Sequence, residues 1–234
     1  MAYAVLERRA ERLSARDTTV STDKLVLSDL VRFDRGYWFV VGLCVTFYAA
    51  VFPFRRFANI FFVDAHGATQ EQAAFFNSLL PMTAMFATPL FGLLVDRVGR
   101  RAQLMTVGSL LLFPAFLLMA YTQLPLGVPV ALLGLAFSLV PAILWPSVAY
   151  LVEESRLGTA YALMTFCQQA FWAAMSPALG WVKDTSHAGA GNPAGWTPVM
   201  WMLASLASLG FVFSFLLWRS ERGPGGHGLE SVKS

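Results

Sequence analysis

Six long stretches of this chain carry almost no charged residues, and this pattern constrains the fold more than any other feature. Each stretch is 21 to 27 residues long, and a helix needs about 20 residues to cross ~30 Å of hydrocarbon. Five contain no Asp, Glu, Lys or Arg, and the first contains only Arg55 and Arg56. Because lipid cannot satisfy backbone N–H and C=O groups, these stretches predict membrane-spanning helices. The expected spans are about 36–62, 72–95, 102–122, 126–152, 157–182 and 195–218.

Basic residues are distributed unequally between the two sides of this all-α membrane protein. With the N-terminus in the cytosol, four segments on that side hold 14 of the 17 Lys and Arg residues. Such a positive-inside bias predicts that both termini are cytosolic. The expected organisation is a cytosolic N-terminal segment at 1–35, a six-helix transmembrane domain at 36–218 and a cytosolic tail at 219–234.

Several other classes of protein are not expected. The first 35 residues mix Lys and Arg with Asp and Glu and lack an apolar h-region, so no cleavable signal peptide is predicted. Cys44 and Cys167 both lie inside spans, which predicts no disulfide framework. The basic residues follow membrane topology, so no nucleic-acid partner is predicted. The sequence lacks common catalytic and nucleotide-binding motifs, and neither an enzyme nor a cofactor is expected.

The short connection between the second and third spans holds a charged motif that runs from Gly92 to Arg101. It reads Gly92-Leu-Leu-Val-Asp96-Arg97-Val-Gly99-Arg100-Arg101. Gly92 would allow neighbouring helices to approach closely, and Gly99 would permit a tight turn. Asp96 could accept hydrogen bonds at a helix N-terminus, and the arginines could pair with carboxylates or lipid phosphates. We expect a gate that latches the cytosolic helix ends; the alternative is a basic loop that only sets topology.

A second short connection, between the fourth and fifth spans, could complete this gate. The helix that starts near Thr159 offers an N-terminus for Asp96, and Glu153 or Glu154 could pair with an arginine of the motif. The candidate gate residues are Gly92, Asp96, Arg97, Gly99, Arg100, Arg101, Glu153 and Arg156.

The motif resembles the signature of the major facilitator superfamily, and further strings resemble one branch of it. These strings are Tyr48-Ala-Ala-Val-Phe-Pro-Phe54, Leu144-Trp145-Pro146 and Leu157-Gly-Thr-Ala-Tyr161. They are similar to the lysosomal dipeptide transporter family called major facilitator superfamily domain-containing protein 1. The resemblance covers the second half of the family pattern, so it implies that these spans are helices seven to twelve of a twelve-helix transporter.

The resemblance carries functional implications. It implies uniport of dipeptides from the lysosomal lumen to the cytosol, and a heavily glycosylated accessory membrane protein as partner. It also implies that a missing N-terminal half, or a second copy in a homodimer, completes the cleft. Arg55 and Arg56 depart from the uncharged family pattern and argue against a preference for basic dipeptides. A different small organic solute, a non-transporting scaffold or an inactive fragment are the alternatives.

Polar residues inside spans should face protein or water rather than lipid, and they mark the candidate cavity. Arg55 and Arg56 could bind a peptide carboxylate or extend to the luminal interface. The amide side chains could instead bond between helices, and Trp145 could pack at a proline kink. No acidic residue lies in a span, so this part of the chain offers no carboxylate for proton coupling. The candidate substrate-binding residues are Tyr48, Arg55, Arg56, Asn59, Asn77, Trp145, Gln168 and Gln169.

Overall fold

Six long helices build the protein in a computed structural model, which describes residues 33–223 and 226–231. The predicted segment at 1–35 lies outside the described residues except for its last three positions. The helices are α1 (Arg35–His66), α2 (Gln70–Val98), α3 (Arg101–Tyr121), α4 (Gly127–Leu151), α5 (Leu157–Thr185) and α6 (Thr197–Glu221). Short 3-10 turns at Glu154–Arg156 and Pro193–Trp196 precede α5 and α6.

Each helix corresponds to one expected apolar stretch, and five are long and apolar enough to cross a membrane. The exception among the described helices is α5, which has 29 residues but is less apolar. Its adjacent Gln168 and Gln169 contribute to that difference. The assignment of α5 as a sixth span therefore rests on its length and on its packing against α1.

Helix α1 lies at the centre of the bundle and contacts α2, α4, α5 and α6. Helix α3 packs on α4 and α6, and α2 packs mainly on α4. Helix α5 packs mainly on α1. Pro53 in α1, Pro141 and Pro146 in α4, and Pro177 in α5 do not interrupt these helices.

The helices α2 and α5 leave much of their surface uncovered. Only Ala73, Leu80 and Val95 are buried on α2, although the helix has 29 residues. Phe86 on α2 and Phe166 on α5 are 64% and 70% exposed. Large apolar side chains on α2 and α5 thus remain available to lipid or to another protein surface.

Local signals explain where the helices begin and end. Asp34 caps α1 by accepting a hydrogen bond from the Gly36 N–H, and this bond lowers the pKa of Asp34 below its usual value. A capping box formed by Thr69 and Gln72 starts α2. Gly67 ends α1 in the left-handed conformation, where an L side chain would be strained.

The packing of α3 against α4 depends on a glycine. A Cβ at Gly108 would lie 2.7 Å from Cγ2 of Val140, a side chain with little rotamer freedom. In contrast, a Cβ at Gly180 on α5 would meet nothing within 4 Å.

We therefore expect Gly108→Ala to destabilise the protein by about 1–3 kcal/mol through overpacking. Thermal unfolding in detergent would show a lower midpoint. Gly180→Ala is the matched control and should leave the midpoint unchanged or raise it, because alanine favours helix. Equal midpoints for the two variants would show that the α3–α4 contact tolerates the extra methyl group.

Candidate substrate-binding site and the Gly92–Arg101 loop

One face of α1 carries most of the candidate site. Cys44, Tyr48, Phe52 and Arg56 follow each other at intervals of four residues, so they lie above one another along the helix. This face looks toward α4 and α5, because Tyr48 contacts Trp145 and Phe52 contacts Trp172. This face of α1 is therefore directed at two other helices.

An aromatic cluster joins α1, α4 and α5 at this face. The Trp145 Nε1–H donates to the Tyr48 hydroxyl at 2.9 Å. The Tyr161 hydroxyl donates to the Trp145 backbone carbonyl at 2.9 Å, and the two rings stack with centroids 6.1 Å apart. Phe52 stacks on Tyr48 and also contacts Trp172 at 5.6 Å. Trp145 is thus both a packing residue and the hydrogen-bonded centre of this cluster.

Sequence reasoning did not include Phe52, Tyr161 and Trp172 among the site residues. Tyr161 belongs to one of the strings that carried the family resemblance. Phe52 lies on the same face of α1 as the candidate residues Tyr48 and Arg56. Trp172 stands four residues after Gln168, which is one helical turn along the same side of α5. Helical spacing from residues already selected could therefore have found two of the three.

The two glutamines of α5 have different roles. Gln168 is 8% exposed, and its Oε1 accepts a hydrogen bond from Cys44 Sγ at 3.6 Å. This contact matches the alternative in which the amide bonds between helices. Gln169 is exposed and lines a cleft instead.

The two asparagines form a second bridge, between α1 and α2. The Asn77 Nδ2 donates to Asn59 Oδ1 at 3.0 Å and to the Arg55 backbone carbonyl at 3.2 Å. Both amides are part-buried, and each finds a protein partner. Asn59 and Asn77 therefore tie helices together as the alternative reading proposed.

An open cleft of about 520 Å³ lies beside the aromatic cluster. Arg56 on α1 and Gln169, Trp172 and Ser176 on α5 line it. The Nε1–H of Trp172 is buried and has no hydrogen-bond partner among the described residues. The same holds for the Nε–H of Arg55, the neighbour of Arg56. Trp172 therefore leaves a donor without an acceptor at the wall of the cleft, whereas Arg55 is not among the residues that line it.

The segment that we call the Gly92–Arg101 loop comprises the last turns of α2, a tight turn at Gly99 and Arg100, and the first residue of α3, and an ion pair holds it. Asp96 Oδ1 lies 3.0 Å from Arg101 Nη2, and the Arg101 guanidinium lies 4.7 Å from the centre of the Tyr150 ring. Gly99 has a φ of 67°, which confirms that this position favours glycine. Arg100 follows in the left-handed conformation with a φ of 49°. The loop thus fixes the start of α3 next to the end of α2.

Three details of the expected gate differ from the structure. Asp96 pairs with the first residue of α3, whereas the sequence suggested the start of α5. Glu153 lies 3.8 Å from Arg156, three residues along the chain, rather than beside the loop. A Cβ at Gly92 would meet nothing within 4 Å, so none of the other described helices approaches it closely. Asp96 and Arg101, like Glu153 and Arg156, are close together in the sequence. Closing the short loop between the members of each pair costs little chain entropy, which favours these local pairs.

Comparison with known proteins agrees with this architecture. The sequence profile described as Major Facilitator Superfamily matches residues 37–232, which includes all six helices except the first two residues of α1. The chain belongs to the major facilitator superfamily. It is 32% identical over 182 residues to the lysosomal dipeptide transporter MFSD1 of Gallus gallus, a match covering 78% of this chain and 41% of the relative.

Two further relatives in the superfamily give the same result. The identity is 34% over 179 residues to the Danio rerio lysosomal dipeptide transporter MFSD1, covering 76% of this chain and 39% of that protein. The identity is 32% over 185 residues to the Homo sapiens protein of the same name, and the match covers 79% of this chain and 40% of that protein. The chain therefore spans about 40% of the length of these curated relatives.

Membership of the superfamily bears on the class of protein to which the loop and the cleft belong. Major facilitator proteins are transporters, so this similarity favours a transporter over an enzyme. Within the described residues, no group of three or more His, Cys, Asp or Glu side chains could hold a metal ion. The candidate chemistry is therefore that of hydrogen-bond donors, aromatic rings and two arginines.

The Tyr48–Trp145 bond provides a test of the aromatic cluster in this superfamily member. Tyr48 is 7% exposed, so Tyr48→Phe leaves the Trp145 N–H without its acceptor in a buried place. We expect a loss of about 1–3 kcal/mol in the free energy of unfolding. Thermal or denaturant unfolding followed by tryptophan fluorescence measures it.

The chain offers a matched control in a second tyrosine–tryptophan pair. Trp201 Nε1 donates to the Tyr121 hydroxyl at 2.6 Å on an exposed surface of α3 and α6. Tyr121→Phe should cost less than Tyr48→Phe, because solvent or lipid headgroups can replace the exposed acceptor. Equal losses would mean that burial does not strengthen the Tyr48 bond.

Proposed function

We propose that this chain forms the substrate-binding part of a secondary transporter that moves dipeptides from the lysosomal lumen to the cytosol. Similarity to proteins named lysosomal dipeptide transporters supports the substrate class and the membrane. The observation that carries the proposal is the cleft lined by Arg56, Gln169 and Trp172, where Arg56 supplies a cation. A dipeptide supplies a carboxylate for Arg56 and a peptide carbonyl that can accept a hydrogen bond from a donor of the lining.

The position of Arg56 supports binding rather than extension to the interface. Helix α1 continues to His66, ten residues or about 15 Å beyond Arg56. The middle of α1 lies near residue 50, so Arg56 is only about 8 Å from it along the axis. A cation at that depth is retained where it faces a water-filled cavity or an anionic ligand.

The absence of acidic side chains from the middle of the described helices supports the same ligand. The acidic residues on these helices lie in a first or last turn: Asp64, Glu71, Asp96, Asp184 and Glu221. No carboxylate in the middle of the described helices therefore competes with the substrate for Arg56. Nor does a carboxylate here offer a proton relay, which favours uniport in our proposal.

A complete transport path in this proposal needs a second six-helix unit. The apolar faces of α2 and α5 remain uncovered, and α5 lines the cleft together with α1. A second unit on these faces would close the cleft and allow alternating access. The N-terminal half of a longer transporter, or a second copy of this chain, could supply it. The lipid bilayer surrounds the assembly, and a glycosylated accessory membrane protein is a further proposed partner.

The Gly92–Arg101 loop acts as the gate in this proposal. With both termini in the cytosol, the Asp96–Arg101 pair lies at the cytosolic ends of α2 and α3. Only Asp96 of this pair is exposed; solvent-exposed ion pairs contribute about 0–1 kcal/mol, and a contribution of that size can bias two conformations that differ by a few kcal/mol. Breaking it would change the balance between cavity openings more than it would change the fold.

Uptake of labelled dipeptides into proteoliposomes tests the transport proposal. With the protein assembled with its second unit, wild type should exceed empty liposomes, and Asp96→Ala should change the rate severalfold. Asp64→Ala is the matched control, because Asp64 lies at the opposite end of the bundle, and it should transport like wild type. If folded, assembled wild type does not exceed empty liposomes, the chain is a non-transporting scaffold or an inactive unit.

A second prediction concerns carboxylate recognition by Arg56. We expect Arg56→Gln to raise KM for dipeptides by about 10- to 100-fold, because a charge-assisted bond of about 1.5–3 kcal/mol is lost. Dipeptides with an amidated C-terminus should bind wild type and variant equally. Arg222→Gln, which removes an exposed arginine stacked on Trp218, is the control. An equal effect of Arg56→Gln on free and amidated peptides would refute carboxylate binding.

A further inference from the structure

Residues 226–231 fold back onto the bundle beside the Gly92–Arg101 loop, and we call this segment the C-terminal strap. Its residue Leu229 is fully buried, which is unusual for the tail of a membrane protein that could extend into water. The strap contacts the ends of three helices: the start of α1, the start of α3 and the end of α6. It therefore joins elements that are far apart in the sequence.

Glu221 anchors the strap to the end of α6. This carboxylate is 7% exposed and accepts the His227 N–H at 2.9 Å and the Leu229 N–H at 3.2 Å. Its other oxygen lies 3.0 Å from His227 Nδ1. The opposite ring nitrogen of His227 lies 3.7 Å from Oδ2 of Asp34, the cap of α1. One buried carboxylate thus organises most of the strap.

The strap also supplies the cap that α3 lacks. Arg100, the residue before α3, makes no side-chain capping bond, so the first N–H groups of the helix need other acceptors. The Leu229 carbonyl accepts the Arg101 N–H at 2.8 Å, and Glu230 Oε1 accepts the Gln103 N–H at 3.1 Å. A carboxylate at a helix N-terminus is also favoured by the helix dipole.

We propose that the C-terminal strap is a conformational latch that holds the first turn of α3 and thereby positions Arg101 for its pair with Asp96. Arg101 is held from two sides, by the strap at its backbone and by Asp96 and Tyr150 at its side chain. The strap accepts the backbone N–H of Arg101, and the side chain of the same residue makes the ion pair with Asp96. Release of the strap frees the loop to adopt another arrangement.

Two glycines make the path of the strap specific. Gly228 has a φ of 88°, where other residues are strained. A Cβ at Gly226 would collide with the backbone carbonyl oxygen of Glu221. Gly226→Ala therefore displaces the strap without removing any polar group from it.

Hydrogen–deuterium exchange on the full chain in nanodiscs tests the proposal. We expect Gly226→Ala to accelerate exchange at both the Arg101 and Gln103 amides by at least tenfold. Glu230→Gln should accelerate exchange at Gln103 more than at Arg101, because the Leu229 carbonyl remains in place. Ser231→Ala is the control within the strap, since the Ser231 hydroxyl donates to the Gly228 carbonyl, inside the strap itself. In this variant the Arg101 and Gln103 amides should exchange at the wild-type rate.

The state of the loop provides an independent readout. Arg101 is 8% exposed, so trypsin should cleave after it slowly in wild type and at least severalfold faster in Gly226→Ala. If Gly226→Ala lowers the yield of folded protein, Glu230→Gln carries the exchange test alone. Faster exchange confined to residues 226–231, with the start of α3 unchanged, would overturn the proposal. Neither measurement needs transport activity, so failure of the transport proposal is separately recognised.

Discussion

Hydrocarbon offers no hydrogen bonds, and the arrangement of polar groups in this protein follows from that constraint. Each spanning helix satisfies its own backbone, while polar side chains inside the bundle must find partners on neighbouring helices. Trp145 bonds to Tyr48, Gln168 to Cys44 and Asn77 to Asn59. All three contacts involve α1, which explains why this helix lies at the centre and carries the site.

The same constraint gives the unpaired groups their meaning. Buried N–H groups without acceptors cost free energy, so donors that remain unpaired near a cleft favour a ligand that brings acceptors. Trp172 provides such a donor in the cleft that Arg56 also lines. The uncovered faces of α2 and α5 are the apolar counterpart, because they expose surface that a second unit can bury. Ligand and partner are therefore both inferred from groups that the chain leaves without partners.

At the end of the bundle that holds both the loop and the strap, water is available and different interactions dominate. The Asp96–Arg101 pair is weak by itself because Asp96 is mostly exposed. The strap adds backbone bonds from Leu229 and a buried carboxylate at Glu221, which are less readily replaced by water. A weak exposed pair supported by a buried network can change its arrangement without unfolding of the helices. This combination suits a gate.

The sequence alone determined the helices, their approximate ends and the turn at Gly99, because hydropathy and glycine conformation are local properties. It also selected Tyr48 and Trp145, which the structure brings together. Only the tertiary structure decided the partner of each polar residue, including Asp96, and showed that no other described helix lies close to Gly92. It also placed Leu229 and Glu230 on α3, more than a hundred residues away in the chain. Such contacts depend on how helices pack, and helical periodicity does not encode which neighbours meet.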